Sequence, residues 1–138
     1  MMKRILVIDD EPDILNLMRR MLEKHGYRVS CAENGKIGLQ HIDHEPYDLV
    51  ITDMQMPGVD GMAIIHHLSK RAPDTRIIAI SGGIKLYGAD NLDRAEEAGA
   101  EAILAKPFTT KEFVATVAGV LESTPPPQPP PPPQQRGD

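Results

Sequence analysis

The sequence has little of what several classes of protein require. Cys31 is the only cysteine among 138 residues, which excludes an intrachain disulfide and a zinc site built from several cysteines, and which fits a reducing cytoplasm. Tryptophan is absent and aromatic residues make up 4% of the chain, too few for the stacking platforms that bind single-stranded nucleic acid. The formal net charge is −5, so we expect no direct binding of nucleic acid through the protein surface.

Long apolar runs are also missing. The first of the short runs, residues 5–8, stops at Asp9 and Asp10, which is too early for the core of a signal peptide. A membrane-spanning helix needs about 20 predominantly apolar residues, and no stretch of the sequence comes close to that length. We therefore expect a cytoplasmic protein without a membrane partner.

The composition divides the chain into two parts near residue 124. Every residue from 125 to 133 is proline except Gln128, and a stretch of this kind cannot join a packed core. We predict one domain over residues 1–123, in line with the chain length, and a disordered proline-rich tail of polyproline II type over residues 124–138. A ligand for a polyproline-binding groove, a spacer and the start of a linker to a further domain are the alternatives for this tail.

Strand-like and helical patterns alternate through residues 1–123. Short apolar runs rich in β-branched residues are typical of buried parallel strands, and an alternating run is typical of an edge strand. The predicted strands cover residues 3–8, 28–32, 49–52, 77–80 and 102–105. Five helices follow them, the fourth over about residues 89–98, with start or stop signals at Pro12, Gly26, Asn34, Asp60, Gly99 and Thr109. This alternation predicts a parallel sheet with helices on both faces.

Chemically active side chains stand where four of the predicted strands end. In chain order they are Asp9, Asp10, Asp53, Ser81 and Lys106. The carboxyl ends of parallel strands meet at one edge of the sheet, where ligands of such sheets bind. Clustered carboxylates repel one another unless a cation lies among them, and Mg²⁺ prefers carboxylate and water oxygens. The pattern therefore predicts a site that holds Mg²⁺ and a phosphoryl group.

The order of these motifs resembles the response-regulator receiver domain of two-component signalling. The resemblance covers about residues 3–122 and rests on four segments, which read ILVIDDEP at 5–12, DLVITDMQMPGVDG at 48–61, ISG at 80–82 and GAEAILAKPF at 99–108. It implies a flavodoxin-like (βα)5 three-layer sandwich with a parallel sheet in the order 2-1-3-4-5. It also implies a stand-alone, single-domain receiver with no effector of its own.

The resemblance assigns a metal site and a phosphoacceptor. Asp53 matches the residue that is phosphorylated, and Asp9 and Asp10 match the acid pair that binds Mg²⁺. Asp53 itself completes the carboxylate ligands, and Gln55 lends its backbone carbonyl to the metal. Mg²⁺ is thus the expected cofactor.

The resemblance also assigns the residues that respond to the phosphoryl group. Lys106 matches the family's lysine, which is typically followed by a cis peptide bond to Pro107, and Ser81 matches the hydroxyl residue of the switch. Receivers usually carry Tyr or Phe where this chain has Ile103, so the usual aromatic relay of the switch is missing here. Tyr87 is a candidate substitute for that ring.

The function implied is phosphorelay signal transduction. Asp53 accepts a phosphoryl group from a histidine kinase or a histidine phosphotransfer protein, or from a small donor such as acetyl phosphate. The phosphorylated form then binds an unknown downstream protein through the helix near residues 89–98, the last strand and the last helix. The protein is not an enzyme in the ordinary sense, because it catalyses only its own phosphorylation and dephosphorylation.

Two other functions remain open from the sequence. A phosphate-independent scaffold would keep the fold without the switch, and Ile103 leaves room for it. An aspartyl-phosphate phosphatase needs a second aspartate two residues after the nucleophile as general acid, and Gln55 occupies that position. Four of the five histidines, at positions 41, 44, 66 and 67, are expected to be surface residues.

Overall fold

The computed structural model describes residues 2–82, 95–96 and 98–122. Its five strands are β1 (Arg4–Ile8), β2 (Arg28–Ala32), β3 (Leu49–Asp53), β4 (Arg76–Ser81) and β5 (Ala102–Ala105). Four helices have bounds within the described residues: α1 (Pro12–Lys24), α2 (Gly35–His44), α3 (Gly61–Arg71) and α4 (Thr110–Glu122). Each strand lies within one residue of its predicted bounds, because a buried parallel strand is a nearly continuous apolar run.

The sheet is parallel, and its strand order is β2-β1-β3-β4-β5. This confirms the predicted flavodoxin-like fold and the predicted edge position of β2. The sheet lies between two helical layers, because successive side chains of each strand point to opposite faces. Ile5 and Val7 pack in a core with side chains of α1 and α4, whereas Leu6 and Ile8 pack in a second core with side chains of α2 and α3.

The predicted helix signals have the expected geometry. The side chain of Asn34 accepts a hydrogen bond from the backbone N–H of Ile37, and that of Asp60 accepts one from Ala63. Thr109 and Glu112 form a reciprocal capping box at the start of α4. Each cap satisfies backbone donors that a helix start leaves unpaired, which fixes where the loops at the carboxyl edge of the sheet end.

The predicted fourth helix lies mostly outside the described residues. Ala95, Glu96 and Ala98 are helical, and Gly99 ends this segment with φ of 130°, a value that favours glycine. Tyr87 and the proline-rich tail over residues 124–138 also lie outside the described residues, so the predicted division into a domain and a tail stays a prediction.

Glycines allow two helices to approach the sheet at a distance that the sequence patterns did not predict. A Cβ atom on Gly38 of α2 would lie 2.5 Å from Cδ1 of Ile8, and one on Gly61 of α3 would lie 2.6 Å from Cα of Met54. Both contacts are closer than real Cβ atoms tolerate, so α2 and α3 press directly on the strands that carry Asp9 and Asp53. None of the described helices is long and apolar enough to cross a membrane.

Candidate functional site

Two adjacent strands bring the predicted acids together. In the parallel register of β1 and β3, Ile8 lies opposite Thr52, so Asp9 and Asp53 stand next to each other at the carboxyl edge of the sheet. Asp9 is fully buried and Asp53 is 4% exposed, whereas Asp10 is exposed. One carboxylate oxygen from each of these three residues lies within 4.8 Å of the other two.

Backbone N–H groups orient the two buried carboxylates. The N–H of Glu11 donates to Oδ1 of Asp9 at 2.9 Å, and the N–H of Gln55 donates to Oδ1 of Asp53 at the same distance. Each of these bonds joins an aspartate to the second residue after it, in the turn where the strand ends. The Oδ2 atoms of both carboxylates therefore remain for other partners.

Lys106 supplies a positive charge to both carboxylates. It follows β5 directly, its backbone N–H donates to the carbonyl of Ser81 at 2.8 Å, and its peptide bond to Pro107 is cis. Its Nζ atom lies 3.0 Å from Oδ2 of Asp53 and 3.1 Å from Oδ2 of Asp9. Burial opposes the charge of this amine, but its interactions with Glu11, Asp53 and Asp9 outweigh that effect and raise its pKa, so Lys106 is an ammonium at neutral pH.

One buried oxygen of the site lacks a hydrogen bond. Oδ2 of Asp9 is within ion-pair distance of Lys106, but no hydrogen-bond donor among the described residues meets it with suitable geometry. Burial raises the pKa of Asp9, and the hydrogen bond from Glu11 and the charge of Lys106 offset this effect only in part.

The donor set fits Mg²⁺. An unsatisfied buried carboxylate oxygen, a second buried carboxylate and an exposed third one offer oxygen ligands of the kind that this ion takes, with room for water on the exposed side. The residues that would hold the ion are Asp9, Asp10 and Asp53, with the backbone carbonyl of Gln55 as the predicted fourth protein ligand.

Of the remaining predicted site residues, Ser81 and Gln55 lie near the carboxylates, whereas Ile103 does not. Ser81 ends β4 and is 3% exposed, and its partner in the sheet register is Ala105, next to Lys106. Gln55 lines the same cleft as Asp53, and its buried Nε2 atom has no hydrogen-bond partner among the described residues. Ile103 is half-buried and packs against the core on the α2 and α3 side of the sheet, so it does not reach the carboxylates.

An open cleft of about 760 Å³ leads to Asp53. Its polar wall includes Asp10, Gln55 and Lys106, and its apolar wall includes Ile14 and Phe108. The ring of Phe108 also stacks on Phe113 at a centroid distance of 5.3 Å, which fixes this wall to α4. A small molecule or a partner's side chain can thus approach Asp53 from solvent.

Sequence reasoning missed one charged member of this cleft. Oε1 of Glu11 lies 2.9 Å from Nζ of Lys106. Glu11 follows the acid pair directly, but no sequence pattern assigns it a role. An acid at the start of a helix is usually explained by the helix dipole, and so nothing in the sequence singled this one out. Only the placement of Lys106 at the end of β5 gives Glu11 a partner.

Comparison with known proteins identifies the family. The response regulator receiver domain matches residues 5–118. The chain is 32% identical over 121 residues to the response regulator receiver protein CpdR of Brucella abortus, with 87% of this chain and 98% of the relative covered. It is 35% identical over 120 residues to the protein PilH of Pseudomonas aeruginosa, with 87% and 98% covered.

Solved structures agree with this assignment. A CheY-like response regulator receiver domain protein from Methanospirillum hungatei superposes with a TM-score of 0.83 at 28% identity, and the match covers 88% of this chain and 95% of that one. Because the family match extends over most of the chain and the fold agrees with it, the chain belongs to the response regulator receiver domain family.

Proposed function

We propose that this chain is a phosphorylatable switch in two-component signalling, with Asp53 as the phosphoacceptor. The observation that carries the proposal is the setting of Asp53: its Oδ2 atom lies 3.0 Å from Nζ of Lys106, beside the carboxylates of Asp9 and Asp10, in a cleft that is open to solvent. A phosphohistidine on a histidine kinase or a histidine phosphotransfer protein is the expected donor.

The transfer uses the oxygen of Asp53 that faces Lys106. The Gln55 N–H holds Oδ1, so Oδ2 attacks the phosphorus atom in line. The bond from phosphorus to the donor histidine breaks, and the histidine nitrogen leaves with the bonding electron pair. Lys106 then donates to a phosphoryl oxygen and offsets its charge. Asp9, Asp10, Asp53 and the Gln55 carbonyl would hold Mg²⁺, which would supply further positive charge to offset the negative charge on the transferring oxygens.

Hydrolysis of the acyl phosphate on Asp53 ends the signal. Water attacks the phosphorus of the acyl phosphate, and the carboxylate of Asp53 leaves, so the protein returns to its starting state with release of inorganic phosphate. Gln55 lines the cleft in which this water has to stand. The chain thus catalyses only its own modification and demodification, and in this sense it is a switch rather than an enzyme with an external substrate.

The signal leaves the site through Ser81. Its hydroxyl is proposed to donate to a phosphoryl oxygen, which would draw in the end of β4 and Gly82, and the downstream protein would recognise the changed surface. Residues 1–123 form the receiver in this proposal, and residues 124–138 form a disordered tail. The location in this proposal is the cytoplasm, which the single cysteine fits.

A phosphate-independent scaffold is the second candidate, and Ile103 is the observation that favours it. The side chain at this position is half-buried against the core and has no ring that could swing as Ser81 moves, so a receiver without this relay could bind a partner in one state only. The phosphatase alternative is weaker, because Gln55 cannot act as a general acid.

Phosphorylation by acetyl phosphate separates these functions. We expect the full chain with Mg²⁺ to gain one phosphoryl group, detected by intact-mass spectrometry and removed by hydroxylamine, as acyl phosphates are. Asp53→Asn should abolish the adduct, whereas Asp74→Asn, a change at an exposed position, should retain it. A scaffold would give no adduct, a phosphatase would give sustained turnover of phosphoesters, and an adduct that persists in Asp53→Asn would refute the assignment.

A further inference from the structure

Glu11 stands at the start of α1 without capping it. It is the N-cap residue of this helix, but its side chain makes no capping hydrogen bond. The carboxylate turns instead toward the end of β5, where Oε1 lies 2.9 Å from Nζ of Lys106, a residue 95 positions away in the sequence. The Glu11 side chain thus hydrogen-bonds to Lys106 in the cleft instead of capping its own helix.

Three carboxylates share the ammonium of Lys106. Nζ lies 2.9 Å from Glu11, 3.0 Å from Asp53 and 3.1 Å from Asp9. Nζ donates hydrogen bonds to Glu11 and Asp53 and forms an ion pair with Asp9, so a phosphoryl oxygen on Asp53 has to compete with these carboxylates for the positive charge of Lys106. Asp9 and Asp53 are buried and fixed by backbone N–H groups, whereas the side chain of Glu11 is 60% exposed.

We infer that Glu11 is a positioning residue that holds Lys106 in the unphosphorylated protein and yields it to the incoming phosphoryl group, which slows phosphorylation by small anionic donors. This inference rests on the proposed function. In the reaction with acetyl phosphate, Oδ2 of Asp53 forms the new bond to phosphorus and acetate leaves with the electron pair of the broken bond. Glu11 opposes this step in two ways, because it competes for Lys106 and because its negative charge faces the donor.

Loss of Glu11 does not release Lys106. The contacts to Asp9 and Asp53 remain, so the ammonium stays in the cleft and turns fully toward the site of transfer. The net result of neutralising Glu11 is therefore acceleration. Because Glu11 is exposed, the effect is modest, about two- to fivefold in rate, as expected for an exposed ion pair, and it diminishes as salt is raised.

The kinetic test compares Glu11→Gln with Asp13→Asn. Both remove one negative charge near the start of α1, but Asp13 is exposed in the first turn and does not contact Lys106. We expect Glu11→Gln to raise the rate constant for phosphorylation by acetyl phosphate at saturating Mg²⁺, and Asp13→Asn to leave it near that of the parent protein. An unchanged or lower rate in Glu11→Gln, or an equal increase in both variants, would overturn the inference.

A spectroscopic test examines the contact itself. The side-chain ¹⁵N signal of Lys106, assigned by its loss in Lys106→Ala, should shift in Glu11→Gln and in Glu11→Asp, whose carboxylate is one methylene shorter, but not in Asp13→Asn. An unmoved signal would refute the positioning role. If the parent protein formed no adduct, the proposed function would fail, while this measurement on the unphosphorylated protein would still decide whether Glu11 holds Lys106.

Discussion

The Nζ atom of Lys106 lies 3.1 Å from Oδ2 of Asp9, yet this completely buried oxygen accepts no hydrogen bond from the part of the chain that the structure describes. Lys106 and Asp9 are thus close enough to form an ion pair, but without a hydrogen bond the negative charge of the Asp9 carboxylate is only partly compensated. One ammonium serves three carboxylates in this cleft. The metal-free protein thus carries an excess of buried negative charge, which is useful for binding a cation and costly for folding.

Asp9→Asn should stabilise the metal-free protein. The amide retains an oxygen that can accept from the N–H of Glu11 but removes the poorly compensated charge. We expect a rise in Tm of a few degrees, which corresponds to about 1 kcal/mol for a domain of this size. We also expect Mg²⁺ to stabilise the parent protein and not this variant. Thermal unfolding with and without Mg²⁺ measures both effects.

The pH dependence of this difference has a definite sign. Burial raises the pKa of Asp9 above its ordinary value of 3.8, so the folded state binds a proton on Asp9 more tightly than the unfolded state does. The unfolding free energy of the parent protein therefore falls as pH rises from the unfolded-state pKa to the folded-state pKa of Asp9. The advantage of Asp9→Asn should therefore grow from about pH 4 upward and become constant above the folded-state pKa. Asp10→Asn, at an exposed position, should give little gain, and an equal gain there would contradict the role of burial.

Lys106→Ala should bind Mg²⁺ more tightly than the parent protein. Removal of a unit positive charge a few ångströms from the carboxylates strengthens their attraction for a divalent ion on the order of tenfold. The metal-free variant should lose about 1–3 kcal/mol of unfolding free energy, since Asp9 and Asp53 lose their partner, but should still unfold cooperatively.

Titration calorimetry with Mg²⁺ and urea unfolding measure the two effects of Lys106→Ala. Lys111→Ala, an exposed lysine in α4, is the control and should change neither quantity. Phosphorylation of Lys106→Ala by acetyl phosphate should be slow despite the tighter metal binding, because no ammonium then meets the phosphoryl oxygens. Unaltered phosphorylation and partner binding would contradict the role proposed for Lys106.

Much of the fold was predictable because its signals are local. Buried strands such as β3, whose five residues are all buried, appear in sequence as nearly continuous apolar runs. The caps at Asn34 and Asp60 depend on residues three positions apart. The convergence of Asp9, Asp53 and Lys106 followed from a topological rule, since carboxyl ends of parallel strands share an edge.

What the sequence could not provide depends on distances between segments remote in the chain. The side chain of Glu11 turns to Lys106 rather than to its own helix, which no local pattern predicts. The glycines at 38 and 61 lie in close contact with β1 and with the end of β3, where a larger side chain does not fit. The sequence alone does not show whether a glycine in a helix is needed for such close packing.

Thr109→Ala should destabilise α4. The hydroxyl of Thr109 accepts from the N–H of Glu112 at 3.0 Å, and the carboxylate of Glu112 accepts from the N–H of Thr109 at 2.8 Å, so the substitution breaks one half of the capping box at a cost of about 1 kcal/mol. Thr116→Ala is the control, because its hydroxyl bonds only to a carbonyl within the helix, and alanine there should be neutral or slightly stabilising. Equal losses by urea unfolding would contradict the cap.

Gly61→Ala and Gly119→Ala should have opposite effects. A Cβ atom at Gly61 would lie 2.6 Å from Cα of Met54 and 2.7 Å from the backbone oxygen of Asp53. Since these are backbone atoms at Asp53, the proposed phosphoacceptor, and in the turn that follows it, α3 and this turn have to move apart, at a cost of about 1–3 kcal/mol. At Gly119 of α4 no atom of the described residues, apart from the neighbouring backbone of the helix itself, lies within 4 Å of the added Cβ, and alanine should stabilise the helix by about 0.5–1 kcal/mol.

The pair also tests whether packing of α3 holds the site in shape. Urea unfolding should give changes of opposite sign for the two variants, and Mg²⁺ titration should show weaker binding for Gly61→Ala alone, because only this substitution displaces Asp53. If Gly61→Ala lost stability but bound Mg²⁺ as the parent protein does, the carboxylate would be positioned by its own strand and by the Gln55 N–H, and the contact with α3 would serve the fold only.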